Sequence, residues 1–409
     1  RPALVRMGAK LPPRTTVPRL TAELRIRAAG RPDVVLQDGP RAVQRWDDGD
    51  LTSSFHWELS AEHVVEGAEL SVEIRDPSGA DPSVIRYPVE GDSVSMNVGA
   101  LAPTLKVRFV PVKYDADGSG RIPAMDPGTI DAYKDALYKM YPVAAVEISV
   151  RDPISWPLVV RGDGEGWDRL LDAIMETRED DHPADDVYYV GVFNPAETQG
   201  QYCSNGGCVL GVAPFAFGES ATLRTAMIVG YHSDRQQGTL AQELAHTMGR
   251  RHAPCGSPGT LDRTYPYANA SIGVWGWDLL KRELRDPHGR LYDFMSYCEP
   301  VWISDYTFSA IYNHMVEVQR ATDRVPPSTR TRVYHVAQDG SLRPGPILEG
   351  AGVADSDEVV LENGAHQAVG KIRGAFRPLS GIGGGLLLTP TEIPPAVLVR
   401  SRFARLAPR

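Results

Sequence analysis

The sequence predicts an α+β protein in three parts: a β-rich N-terminal module, a middle region where strands and helices alternate, and a β-rich C-terminal module. Two observations predict this. Over residues 1–104 and 326–409, short runs with apolar residues at every second position are separated by Gly, Pro and Asp turns. Over residues 105–325, runs with apolar residues at helical spacing appear between the strand-like ones. The chain has 409 residues, 42% of them hydrophobic and 23% charged, a globular balance that excludes a disordered chain. A net charge of −9 gives no general attraction to nucleic acid. No run of about 18 apolar residues is available for a membrane span.

In the first module, strands are expected at 22–27, 55–59, 70–74 and 84–89, packed as a sandwich-like unit. It contains no cluster of His, Cys or paired carboxylates, so no chemistry is assigned to it. In the middle region, 105–113 reads as a strand and 127–141 as a helix with Ile130, Tyr133, Leu137 and Met140 on one face. A strand at 144–150, a helix at 167–177 and a strand at 186–192 follow. A Gly-rich loop bounded by Cys203 and Cys208 leads to strands at 209–212 and 225–229 and a helix at 238–250. Phe308, Ile311, Met315 and Val318 mark a last helix. After Pro326 and Pro327, strands are expected at 333–336, 358–361 and 396–399, in a second sandwich-like module.

One segment carries chemistry. Residues 239–256 read Thr-Leu-Ala-Gln-Glu-Leu-Ala-His-Thr-Met-Gly-Arg-Arg-His-Ala-Pro-Cys-Gly. In the zinc-protease pattern H-E-x-x-H-x-x-G-x-x-H, Glu243, His246, Gly249 and His252 fall at the required spacings, and Gln242 stands where the first His would be. Positions 242 and 246 are four apart, so on a helix they project from one face toward one ion. Gly249 tolerates the left-handed turn that returns His252 to the same point. Three protein ligands leave a fourth position open for water, the arrangement of catalytic zinc.

Downstream, Tyr292-Asp293-Phe294-Met295-Ser296-Tyr297-Cys298 places Met295 in a tight turn and Tyr297 two residues later. With the upstream motif, this half of the chain resembles the metzincin clan of zinc metalloendopeptidases, in particular secreted bacterial members flanked by β modules. The resemblance covers about 105–325. It implies a mixed twisted sheet with an active-site helix and a Met-turn at Met295, and peptide-bond hydrolysis of a protein or glycoprotein substrate. In that scheme zinc is held by His246, His252 and the Gln242 position, and Glu243 is the general base. Tyr297 stabilises the oxyanion or binds the metal, and an edge strand near 206–212 pairs with extended substrate. Three explanations of Gln242 stand open: an introduced inactivating change, a natural pseudoprotease that binds protein or glycan partners, or weak coordination through the amide oxygen with Tyr297 completing the shell. A third reading, an adhesive surface protein with the middle region as spacer, leaves the site residues without a purpose.

The four cysteines allow three pairings. If the resemblance holds, a Cys255–Cys298 bridge ties the exit of the metal helix to the Met-turn, and Cys203–Cys208 is local. Zinc ligation by Cys203 and Cys208 is the rival. An even cysteine count fits export, with any signal peptide lying outside this sequence. Asp115, Asp117, Ser119, Gly120 and Asp126 occupy positions of a calcium-binding EF loop, against the plainer reading of a solvated turn. The acidic run 179–186 reads as a solvated loop. His182, His232, His288 and His314 lie outside any ligand spacing. Trp275 and Trp277 read as core residues, with a specificity pocket as the alternative.

Overall fold

The computed structural model describes residues 1–8, 19–79, 83–204, 206–216, 221–231, 233–321, 330–349, 357–390, 392–395 and 397–400. His232, Pro326 and Pro327 lie outside them, as does residue 396 of the last expected strand. The chain forms two compact units, residues 1–102 with 275–289, and residues 103–274 with 290–409.

In the first unit, strands Val34–Ala42, Arg19–Arg27, Glu69–Arg75 and Val84–Tyr87 form an antiparallel sheet in that order, with Val94–Ser95 also beside Glu69–Arg75. A second pair, Ala3–Gly8 with Ser54–Leu59, supplies Phe55, Trp57 and Leu59 to a core shared with Ala22, Leu24, Ile26 and Val72. Those positions alternate along each strand, as expected when one sheet face is buried. The hairpin Gly276–Asp278 and Glu283–Arg285 belongs to this unit. Trp275 and Trp277 therefore leave the middle region where they were expected, and both are half-buried.

In the second unit, Thr104–Tyr114 is central to a six-stranded sheet. On one side it pairs in parallel with Ala145–Val150 and Ile154–Trp156, and on the other with Val187–Phe193. Thr225–Val229 continues the parallel order, and Gly211–Val212 closes the edge antiparallel. The strands alternate between two cores. Leu105, Val107, Phe109, Val190, Val192 and Ile228 meet helices Pro127–Met140 and Asp234–His246 on one face. Val110, Val112, Tyr189, Phe193, Met227 and Val229 meet helix Trp167–Asp181 on the other.

Three expectations change. The acidic run is a loop only in part: residues 182–186 are a loop with His182 and Asp185 exposed, but residues 179–181 continue the helix, Asp181 accepts from Tyr189 and Arg151, and Asp186 pairs with Lys106 at 2.7 Å. Opposite charges make these carboxylates part of the fold. The strand expected at 209–212 is only Gly211–Val212. The six described strands between Arg330 and Arg400 form one antiparallel sheet that belongs to the second unit instead of standing as a sandwich. One face of that sheet adds Val333, Leu348, Leu379, Leu386 and Leu388 to the core around helix Trp167–Asp181, while Tyr334, Val336, Val359, Leu361 and Leu387 form a separate cluster on the other.

Candidate metal centre

Helix Asp234–His246 buries Leu240, Ala241, Leu244 and Ala245 completely, which leaves 242, 243 and 246 on the neighbouring side. The helix ends four residues before its expected end. Gly249 takes a φ of 78°, and the amides of Gly249 and Arg250 bond back to the carbonyls of His246 and Ala245 at 2.9 and 3.0 Å. That left-handed closure is the one a glycine makes without penalty. It sends the chain back so that the His252 carbonyl accepts from the Asp262 amide at 2.8 Å and the His252 ring stands beside that of His246.

The two rings meet edge-on, with planes 77° apart and Nε2 atoms 3.1 Å apart. His246 Nδ1 donates to the Arg250 carbonyl at 2.7 Å, and His252 Nδ1 to the Gly259 carbonyl at 2.5 Å. A carbonyl only accepts, so each Nδ1 carries the hydrogen and each Nε2 presents a lone pair. Two facing lone pairs repel unless a cation lies between them. A proton is a poor candidate at neutral pH: burial pushes His246 well below its ordinary value, and burial takes His252 down to about 4. A divalent metal fits. For zinc about 2.05 Å from each nitrogen, a 3.1 Å separation corresponds to an angle of about 98°, close to a tetrahedron's roughly 109°.

The third position is weaker. Gln242 is half-buried, and its Nε2 is buried with no hydrogen-bond partner. A half-turn of the amide puts an acceptor oxygen there. Among the described residues no group of three or more His, Cys, Asp or Glu is placed to hold a metal ion. The donor set is thus two imidazoles and one neutral amide, and the imidazoles are what suit zinc.

Glu243 is 4% exposed, and its Oε2 accepts from Ser380 Oγ at 2.5 Å. Burial pushes its carboxyl up to about 8, the Ser380 hydrogen bond opposing. It lies against Gly211, where an added Cβ would fall 2.5 Å from Glu243 Cγ, so the glycine is what admits the carboxylate. Tyr297 is 48% exposed, its ring centroid 5.0 Å from that of His252. Partial burial and the Glu243 carboxylate raise its phenol, so it keeps its proton and can donate.

Met295 is 1% exposed, and its carbonyl accepts from the amide of Ala253, the residue after His252, at 2.9 Å. Asp293 shapes this turn. Fully buried, it accepts from the Met295 amide at 2.8 Å, the Ser304 amide at 3.0 Å and the Ser304 hydroxyl. Cys255–Cys298 and Cys203–Cys208 are both disulfides, and no free cysteine remains among the described residues. The first ties the segment after His252 to the turn, where Tyr297 N also donates to Cys255 O at 3.0 Å.

Sequence reasoning missed Phe215, whose ring meets that of His246 edge-on at 4.5 Å, and Ser380 and Asp293. Only Asp293 had a visible signal, an acid two residues before a turn methionine. The acids of the candidate calcium loop have partners within the chain. Asp126 caps helix Pro127–Met140 by accepting from Thr129, and Asp117 pairs with Arg121 and Ser119. Asp115 bonds through its backbone to Trp156 O. Of the remaining histidines, His182 and His288 are exposed, while His314 is half-buried with a buried, unpartnered Nε2.

Compared with known proteins, the chain matches no family model and no curated protein.

Proposed function

We propose that the second unit carries a zinc-dependent endopeptidase site of the metzincin kind, with activity lowered by Gln242. The observation that carries this reading is the facing pair of Nε2 lone pairs on His246 and His252, beside the Glu243 carboxylate. These two imidazoles and the Gln242 amide oxygen would hold the ion. When bound, zinc supplies an acidified water and a Lewis acid. Glu243 takes the proton released by the attacking water and hands it to the leaving amine nitrogen. The protonated Tyr297 hydroxyl donates to the developing oxyanion. The Arg250 and Gly259 carbonyls keep both imidazoles neutral and oriented. The substrate class is an extended protein or glycoprotein chain. Two disulfides support a place outside the reducing cytosol, and no described helix is long and apolar enough to cross a membrane.

Gln242 favours one second reading: a pseudoprotease that binds protein or glycan partners without turnover. The test is Gln242→His, with zinc content and cleavage of unfolded casein measured, and repeated with residues 378–382 displaced from Glu243. We expect zinc affinity to rise by at least about 100-fold, since losing even an outer partner of a ligand costs 10–100-fold, and cleavage to rise with it. No gain in zinc refutes the metal site. Zinc gained without cleavage in both proteins leaves the pseudoprotease.

A further inference from the structure

We propose that residues 378–382 are a tethered peptide ligand of the metal-centre cleft, held by the C-terminal sheet where an incoming backbone must lie. The inference rests on the peptidase reading of the same site. As folded, the chain is then closed to substrate until this segment leaves.

The argument begins at the sheet edge. Gly211–Val212 pairs with Thr225–Val229 on one side only. Its continuation, residues 213–215, would present free backbone groups to an added strand. Those groups are already used. Ser380 N donates to Ala213 O at 2.9 Å, and Phe215 N donates to Pro378 O at 3.0 Å. Pro214 and Leu379 form an antiparallel bridge. Ala213 N donates to Ser380 Oγ at 2.7 Å, and that hydroxyl donates to Glu243 Oε2 at 2.5 Å. One of the two carboxylate oxygens available to accept a proton from water is therefore occupied by a serine of the same chain.

The residue types suit the position. Gly381 has a φ of 67°, and a Cβ there would fall 2.4 Å from the Gly211 carbonyl oxygen, so no side chain fits. Leu379 anchors the segment in the core with Leu386 and Leu388. A second latch holds the sheet down: Arg343 bonds Asp168 at 2.7 Å and Asp172 at 2.6 Å on helix Trp167–Asp181, and His335 bonds Asp172. A ligand fixed in this way has an effective concentration on the order of millimolar or more, which a free peptide at micromolar concentration does not overcome.

The test uses the full-length chain and Gly381→Val, which drives the segment off Gly211 without altering a metal-centre residue. The probe is a labelled peptide Phe-Arg-Pro-Leu-Ser-Gly-Ile-Gly-Gly, the sequence of residues 376–384. We expect exchange at the Ala213 and Phe215 amides to quicken by about tenfold or more. The peptide should bind the variant and not the parent, and a peptide with Val at its Gly381 position should bind neither. Equal binding to parent and variant, or none to the variant, overturns the inference. If Gly381→Val does not fold, Arg343→Ala, which releases the second latch away from the cleft, takes its place.

Cleavage separates this inference from the peptidase reading. In zinc-loaded Gln242→His, adding Gly381→Val should raise casein cleavage by about tenfold or more, following the fraction of open sites. Equal rates from two cleaving proteins overturn the tethered ligand and leave the peptidase standing. Peptide binding with no cleavage from either protein removes the peptidase and upholds the ligand assignment.

Discussion

Opening the Cys255–Cys298 bridge, by Cys255→Ser with Cys298→Ser, should cost both stability and metal affinity. The bridge closes a loop with a sequence separation of 43, worth about 4 kcal/mol in the chain-entropy model. It also fixes the segment three residues after His252 against the turn that holds Met295. Two backbone bonds remain in the variant, Ala253 N to Met295 O and Tyr297 N to Cys255 O, so the turn keeps part of its alignment. Loss of zinc affinity should then be about tenfold, the lower end of what losing an outer support costs. The assay is urea unfolding of the second unit by circular dichroism, paired with zinc titration. Cys203→Ser with Cys208→Ser is the control. Its separation is 5, so it should cost about 2 kcal/mol and leave zinc binding alone. If both double variants change zinc affinity equally, or neither changes stability, the bridge does not position His252 and the reasoning fails.

Other outcomes follow from the same geometry. Asp293→Ala strands the Met295 and Ser304 amides in a buried turn, and should lower unfolding free energy by about 3 kcal/mol by denaturant titration. Gly211→Ala sets a methyl against Glu243 Cγ; we expect about 1–3 kcal/mol of lost stability, and crystals should show Glu243 displaced from Ser380. His314 is taken down to about 4 by burial, with Arg224 and Arg250 nearby. The unfolded chain therefore binds its proton first. Stability from this group is whole above about pH 6.5 and is lost as pH falls toward 4, up to about 3 kcal/mol. His314→Gln should flatten that part of a thermal-melting profile against pH, and an unchanged acid slope would contradict the burial assigned to this ring.

What was legible in the sequence was local. The i, i+4 spacing of 242 and 246, the glycine at 249 and the apolar stripe of helix Asp234–His246 each follow from one short segment, and all stand in the structure. So do most strands and helices of the middle sheet, because their period changes from two to 3.6, though the strand expected at 209–212 shrinks to Gly211–Val212 and Ile154–Trp156 was not expected. The cover over Glu243 was not legible. Ser380 lies 137 residues from Glu243, in a Gly-rich stretch that reads only as a turn, and its meaning arises when the C-terminal sheet shares a core with helix Trp167–Asp181. The same sharing joins the expected third module to the second unit. The Asp residues at 115–126 show how one spacing admits two readings. Their spacing resembles a calcium loop, yet Asp126 caps a helix that begins with Pro127, and Arg121 inside the loop supplies the cation for Asp117.

The claim beneath the site is that His246 and His252 converge on one divalent ion. Anomalous diffraction at the zinc edge, on crystals of the full chain grown with zinc, tests it most directly. The account predicts one strong peak per chain about 2.0–2.1 Å from both Nε2 atoms. A peak elsewhere, or no peak between Nε2 atoms that remain 3.1 Å apart, would contradict it.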